Sequence, residues 1–470
     1  MNRRKNRRKW SVICALLAVV TLTLLIATSA SAAEMLDASG QWWYVLERDG
    51  VTITGCEEPD GDLLIPNELD GYAVIGIGDH AFSEYYSLAS VIIPDSVRCI
   101  GDGAFYTCTG LTSVFIGEGV TSIGRYTFLY TSLMDIDISP ANPAYAQIDG
   151  VLFDKRFQTL IAYPSGRIGE YSIPEGVVSI GVDAFSVCKG LTSVIIPDSV
   201  TSIGDSAFSW CDSLNNVNIP DSVTSVGINP FAGSPLVGID VSPASSAYAQ
   251  IDGVLFDKQL ETLIAYPSSR EGKYSIPDSV TSIGSEAFSG CKNLTSVIIS
   301  DSVSSIGEEA FTFCYSLANV TIPAGVTNIG DRAFAYCYRL TNVTIPISVT
   351  SIGVNPFGGS PLSYIDVSPD NPIFEQIDGV LFDKQKKKLI SYPMAIGDAY
   401  TVPEGVLHIG DWAFGYSDNL GSVTIPASVT SIGIDAFDFF AVDNITLSVM
   451  RGSYAEQYAE ESNTPFVYTE

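Results

Sequence analysis

Apolar residues recur along this chain with a period longer than any single strand or helix. Phe82, Phe105, Phe128, Phe185, Phe208, Phe231, Phe288, Phe311, Phe334, Phe357, Phe414 and Phe437 are separated by 23 residues or by 57. Each closes a version of one phrase, clearest in Val200-Thr201-Ser202-Ile203-Gly204-Asp205-Ser206-Ala207-Phe208. Units of this size cannot bury their apolar side alone and must stack on neighbours, so the pattern predicts a repeat solenoid of about 16 coils.

Within a coil the pattern changes period. In Leu191-Thr192-Ser193-Val194-Ile195-Ile196-Pro197, the inward positions Val194 and Ile196 alternate with outward ones, as a short strand requires. Pro197 fixes φ for a turn, and Gly204 supplies permissive backbone at the next corner. Ala207, Phe208, Cys211 and Leu214 then recur at spacings near three and four, which predicts a short helical turn. The expected coil is a strand on one wall and a helical turn on the other.

The 57-residue gaps hold a second order. The phrase Ser139-Pro140-Ala141-Asn142-Pro143 runs on to Asp149-Gly150 and Phe153-Asp154-Lys155, and it returns from Ser242 and from Ser368. The two intervals, 103 and 126, differ by one 23-residue coil, as segmental duplication plus one gained coil would produce. The three longer coils predict a β-hairpin insertion, Val151–Asp154 returning through Thr159–Tyr163 in the first. Before the later two, Asn229-Pro230 and Asn355-Pro356 replace the usual residues, which suggests room made for the hairpin. Caps are expected at both ends: a hairpin from Trp42-Trp43-Tyr44 and Val51-Thr52-Ile53, and a helix opened by Ser453 with Glu456. The resulting division is a leader over 1–32, an N-terminal cap over 33–64, the solenoid over 65–447 and a C-terminal cap over 448–470.

The repeat resembles leucine-rich repeats of the BspA-like type, found in exported bacterial surface proteins, over roughly residues 41–468. The resemblance implies a right-handed, mainly β superhelix of α/β type with short strands on a concave wall. It also implies cell-surface attachment or host-protein binding, and no enzymatic activity.

Charge and address narrow the partners. Arg3, Arg4, Lys5, Arg7, Arg8 and Lys9 precede the apolar run from Ile13 to Ala27, and Ala30-Ser31-Ala32 offers a cleavage site. The run is short for a spanning helix, so a cleaved Sec-type leader is expected, with no membrane span afterwards; an uncleaved anchor is the alternative. Cleavage takes the formal net charge from −29 to −35, and phosphate backbones are repelled by such a body. Nucleic acid is excluded on that ground. The expected product is a secreted or cell-surface monomer that binds an extracellular or host protein, with a glycan or the cell envelope as the alternative.

Catalytic chemistry finds little to stand on. His80 and His408 are the only histidines, both inside repeat phrases, and no nucleophile elbow, phosphate loop or zinc motif is present. Cys108, Cys188, Cys211, Cys291, Cys314 and Cys337 share one repeat slot, which Tyr85 and Ser417 also fill. Buried inert thiols are expected there, with disulfides or metal as alternatives, and Cys56 and Cys99 stay open. Asp135, Asp137, Asp149, Asp240 and Asp366 invite a calcium reading, against which an ordinary Asp-Gly turn and solvated carboxylates are preferred. Lys384, Lys386, Lys387 and Lys388 form a basic hairpin tip, expected to be solvated. No cofactor or metal is expected.

The outward positions of the strand wall are the expected ligand-binding site. Ile92, Phe115, Ile195 and Ile298 are apolar there, among polar neighbours such as Asn218 and Thr321. Apolar anchors on a rigid surface can hold a partner.

Overall fold

The computed structural model describes residues 33–57, 59, 61–385, 387–417, 419–437 and 445–469. The expected leader over 1–32 and Lys386 of the basic tip lie outside the described residues. The chain is a mainly β solenoid with very little helix. It divides into two compact units, one running to Leu191 and the other starting at Thr192.

In the first unit, Gly61–Leu64, Leu88–Ile93, Ser113–Ile116 and Asp135–Ile138 pair in parallel as one wall. Val91, Val114 and Ile136 are in register and buried, as alternation demands. A second wall of shorter strands, Tyr72–Ile77, Cys99–Ile100 and Ser122–Ile123, also pairs in parallel. The hairpin of Trp42–Leu46 with Val51–Cys56 closes that second wall by parallel pairing onto Tyr72–Ile77. Gly61–Leu64 is thus already a wall strand, and not part of the cap.

The expected helical turns are not helical. On the third wall, alternate N–H groups leave the coil: His80, Phe82 and Glu84 donate to Asp102, Ala104 and Tyr106 carbonyls of the next coil, each at 2.8 Å. Intervening ones close tight turns, as Ala81 to Gly78 and Ser83 to His80. His80 and Glu84 take positive φ, 53° and 65°, and most later coils repeat such a pair four residues apart. A left-handed backbone costs about 1–2 kcal/mol per non-glycine residue. A helical turn this short would instead leave most of its N–H and C=O groups without an intrahelical partner. The lateral ladder satisfies both, and the same scheme runs through the second unit from Glu286 to Phe313.

Inside the walls the phenylalanines stack face to face. Phe82, Phe105 and Phe128 follow at 5.3 and 6.0 Å, and Phe288, Phe311, Phe334 and Phe357 at 4.7, 5.0 and 5.8 Å. Each long coil carries the expected hairpin, with Leu152 opposite Ala162 and Phe153 opposite Leu160 in the first. A further strand that the sequence did not suggest, Tyr145–Ile148, adds to its outer edge. The inner hairpin strand joins the second wall, as Thr262–Ala265 does beside Ser282–Ile283. The long coils lack the turn-wall phrase; Tyr163, Tyr266 and Tyr392 stand in for the ladder ring and lie 5.0, 4.9 and 5.2 Å from Phe185, Phe288 and Phe414.

The altered Asn-Pro segments do more than make room. The Asn229 amide donates to the Glu286 carbonyl and that of Asn355 to the Trp412 carbonyl, both at 2.7 Å and both 57 residues apart. Each asparagine therefore ties the turn wall across a long coil to the coil beyond. In the first unit the Arg125–Asp183 ion pair, 3.6 Å, spans the corresponding gap. The C-terminal helix Tyr454–Ser462 forms as the capping residues predict: Ser453 Oγ accepts the Glu456 N–H, and left-handed Asn463 ends it. Phe466–Tyr468 then pairs in parallel with Thr446–Val449.

Candidate binding surfaces

All six residues expected at a ligand site, Ile92, Phe115, Ile195, Asn218, Ile298 and Thr321, are exposed strand positions. Pairing brings only some together. Ile92 lies in register with Phe115, and Leu64 lies in register with Ile92 on the other side. These three are 47%, 39% and 66% exposed and form one apolar step across three neighbouring strands. Asp137 ends the step, and Ser90 donates to Asp62 at 2.6 Å beside it. In the second unit Ile298 stands alone between Ser275 and Thr321, and Asn218 faces Asp240. Ile195 is exposed at the end of its own strand.

Leu64 escaped the sequence reading because its coil was assigned to the cap. The signal was present: Leu63-Leu64-Ile65-Pro66 repeats Val91-Ile92-Ile93-Pro94.

The cysteine slot is a bonding position. The thiols of the repeat slot are buried. Cys108, Cys314 and Cys337 donate to the Phe82, Phe288 and Phe311 carbonyls at 3.0, 3.1 and 3.2 Å. Burial pushes Cys314 and Cys337 well above the ordinary thiol range, which suppresses the reactive thiolate. Tyr85 in the same slot donates to the Cys56 carbonyl at 2.6 Å, tying the first coil to the cap hairpin. Cys99 is exposed, and partial burial with Glu47 and Asp79 nearby raises it as well.

The acidic and basic candidates are engaged locally. Arg167 binds the Asp135 carboxylate at 2.6 Å and the Met134 carbonyl at 2.6 Å. Asp137, Asp240 and Asp366 are exposed, and Asp149 sits at φ 47° in its Asp-Gly turn. Among the described residues no group of three or more His, Cys, Asp or Glu is arranged to hold a metal. Lys384 Nζ donates to the Asn371 carbonyl at 2.7 Å, bracing the hairpin. His80 packs edge-on against Tyr106, and His408 Nδ1 lies 2.7 Å from Ser431 Oγ.

Among the described residues no helix is long and apolar enough to cross a membrane. The model of the BspA type leucine rich repeat region matches residues 72–156, 162–263, 264–387 and 398–464. A leucine rich cell surface protein of Faecalibacterium prausnitzii A2-165 is similar at 29% identity over 92% of this chain and 98% of that one, with a TM-score of 0.41. The pneumococcal vaccine antigen PcpA is similar at 18% identity over 93% and 99%, with a TM-score of 0.43. A leucine-rich repeat protein of Eubacterium ventriosum ATCC 27560 gives 22%, 86% and 95%, with 0.42. No curated protein matches the chain. With most of its length covered by that repeat model, the chain belongs to the BspA-type leucine-rich repeat family.

Proposed function

We propose that the protein is an exported, non-enzymatic surface module that binds an extracellular or host protein through its strand wall. The observation that carries this is the in-register step of Leu64, Ile92 and Phe115. Contiguous apolar side chains held on paired strands bind at a reduced ordering cost, because the hydrogen-bonded wall already fixes their backbone. The polar rim of Asp62, Ser90 and Asp137 surrounds them as a rim surrounds anchors at protein interfaces. The N-terminal basic stretch and apolar run support export, and the family supports a place at the cell surface.

The test isolates binders from host extracellular proteins and then measures the affinity of an Ile92→Ser, Phe115→Ser double variant shown to be folded. Each truncation is expected to cost about 1–2 kcal/mol of binding. Unchanged affinity would remove this step from the interface.

A further inference from the structure

On the turn wall of the second unit, a row of aromatic rings lies outside the buried core. The left-handed position two residues after the ladder phenylalanine holds Phe313, Tyr336 and Tyr416, and a neighbouring row holds Tyr315 and Tyr338. Phe313 stacks on Tyr336 at 4.8 Å with 14° between planes, and Tyr315 on Tyr338 at 4.9 Å and 10°. Tyr416 meets Tyr336 edge-on at 4.8 Å and stacks with Trp412 at 5.9 Å. Tyr338 is 53% exposed and the others are half-buried. The first unit's opening coils hold Glu84 and Thr107 in one row and Tyr86 and Thr109 in the other.

We propose that this aromatic row is a binding platform for a neutral oligosaccharide. Sugars combine apolar C–H faces with hydroxyls, so they suit exposed rings set among a few fixed polar groups. Those polar groups are present. Arg332 Nε donates to Glu309 at 2.8 Å and its Nη2 lies 3.4 Å from Glu308, so the guanidinium is pinned by both carboxylates. The Tyr336 and Tyr416 side chains are hydrogen-bonded to each other. The backbone beneath the rings is fixed before any ligand arrives, because Phe313 and Tyr336 donate their N–H groups to the Ala335 and Gly358 carbonyls of the next coil, at 3.1 and 2.8 Å.

Charge selects among ligands that stack on aromatic rows. Nucleic-acid bases would stack equally well, but their phosphates meet a strongly acidic chain. Glu308 and Glu309 pair with Arg332 and add acidic charge at this site, which disfavours acidic sugars in the same way. A protein partner prefers an apolar patch whose centre is depleted of acidic side chains, and Glu308 with Glu309 interrupts this one.

The platform does not depend on the strand-wall reading, and its test is separate. Titration calorimetry with a neutral glucan, mannan, galactan and xylan should give saturable binding for at least one, unaffected by added salt. Tyr315→Ala with Tyr338→Ala should weaken that binding by about tenfold or more, with the melting curve unchanged. Tyr338→Ser alone, at the most exposed ring, serves if the double variant does not fold. Tyr86→Ala, an exposed tyrosine of the first unit, should leave binding as it is. Failure of all four polysaccharides to bind, or binding that survives both Tyr315→Ala with Tyr338→Ala and Tyr338→Ser, would overturn the proposal.

Discussion

Two kinds of junction coexist in the second unit, and they are stabilised by different means. Between ordinary coils, as from Phe288 to Phe357, the turn wall and the short-strand wall repeat their bonds from coil to coil, and a thiol or a hydroxyl fits the slot beneath the ladder ring. Cys314 and Cys337 reach the preceding phenylalanine carbonyl at 3.1 and 3.2 Å, while Ser234 and Ser360 in the same slot reach theirs at 2.5 and 2.7 Å. After a long coil the stand-in tyrosine sets its carbonyl farther away. Cys291 is 3.9 Å from the Tyr266 carbonyl and, in the first unit, Cys188 is 3.8 Å from that of Tyr163. Those distances suit sulfur and exceed an ordinary O–H bond. The Ser417 hydroxyl, after the third long coil, is buried with no hydrogen-bond partner among the described residues. Repetition is self-templating where coils are alike; each interruption needs its own side-chain solution.

The largest expected effect lies in the uninterrupted stack. Phe311→Ala should cost about 3–5 kcal/mol in denaturant unfolding, because rings above and below prevent the void from closing. A loss below about 1 kcal/mol would contradict the stacked core.

Alkali should act on the buried tyrosines of the long coils. Burial pushes Tyr171 up to about 12 and also raises Tyr274 and Tyr400. An unfolded phenol ionises near 10, so these tyrosines contribute stability that is present below about pH 10 and falls as the pH rises toward 12. Tyrosinate absorbance should therefore show a late class of tyrosines that ionises together with the loss of folded signal. A single transition near pH 10, with the fold intact, would show that they are solvated.

Asn355→Ala tests the tie across the third long coil. It removes bonds to the Trp412 carbonyl and from the Ser391 hydroxyl, 2.7 and 2.6 Å, and should cost about 1–3 kcal/mol. The smallest effects come from the slot itself. Cys314→Ser should be nearly neutral, Cys291→Ser should destabilise, and Ser417→Cys should stabilise by about 0.5–1 kcal/mol. Equal responses at Cys314 and Cys291 would erase the distinction between the two junctions.

Much of this architecture was legible in the sequence. The phenylalanine interval gave the stack, the 57-residue gaps gave the hairpins, and Ser453 with Glu456 gave the terminal helix. The third wall was misread because Ala207, Phe208, Cys211 and Leu214 face inward at spacings that a helix and a chain of left-handed turns share. Side-chain periodicity reports which residues are buried, and is silent on whether N–H groups bond within a coil or between coils. The second short strand per coil was missed for lack of length, since two residues such as Ser202–Ile203 carry no alternation. The aromatic row escaped because it occupies outward positions, where the repeat tolerates Glu84 as readily as Tyr336. Ile92 and Phe115 are legible as outward apolar positions; Leu64, which completes their step, is not, because its coil reads as cap.

The turn wall has a mechanical consequence. Its lateral hydrogen bonds lie along the direction of stacking, so tension applied in that direction loads successive coils in series and the weakest junction yields first. In the second unit the ordinary coils from Phe288 to Phe357 share a turn wall and a short-strand wall that are bonded throughout. At the long coils the third wall is carried across the gap by few contacts, the Asn229 or Asn355 amide prominent among them. A protein strained at a surface would therefore give way at the long coils and keep the blocks between them intact, lengthening in a few large steps that single-molecule pulling would count.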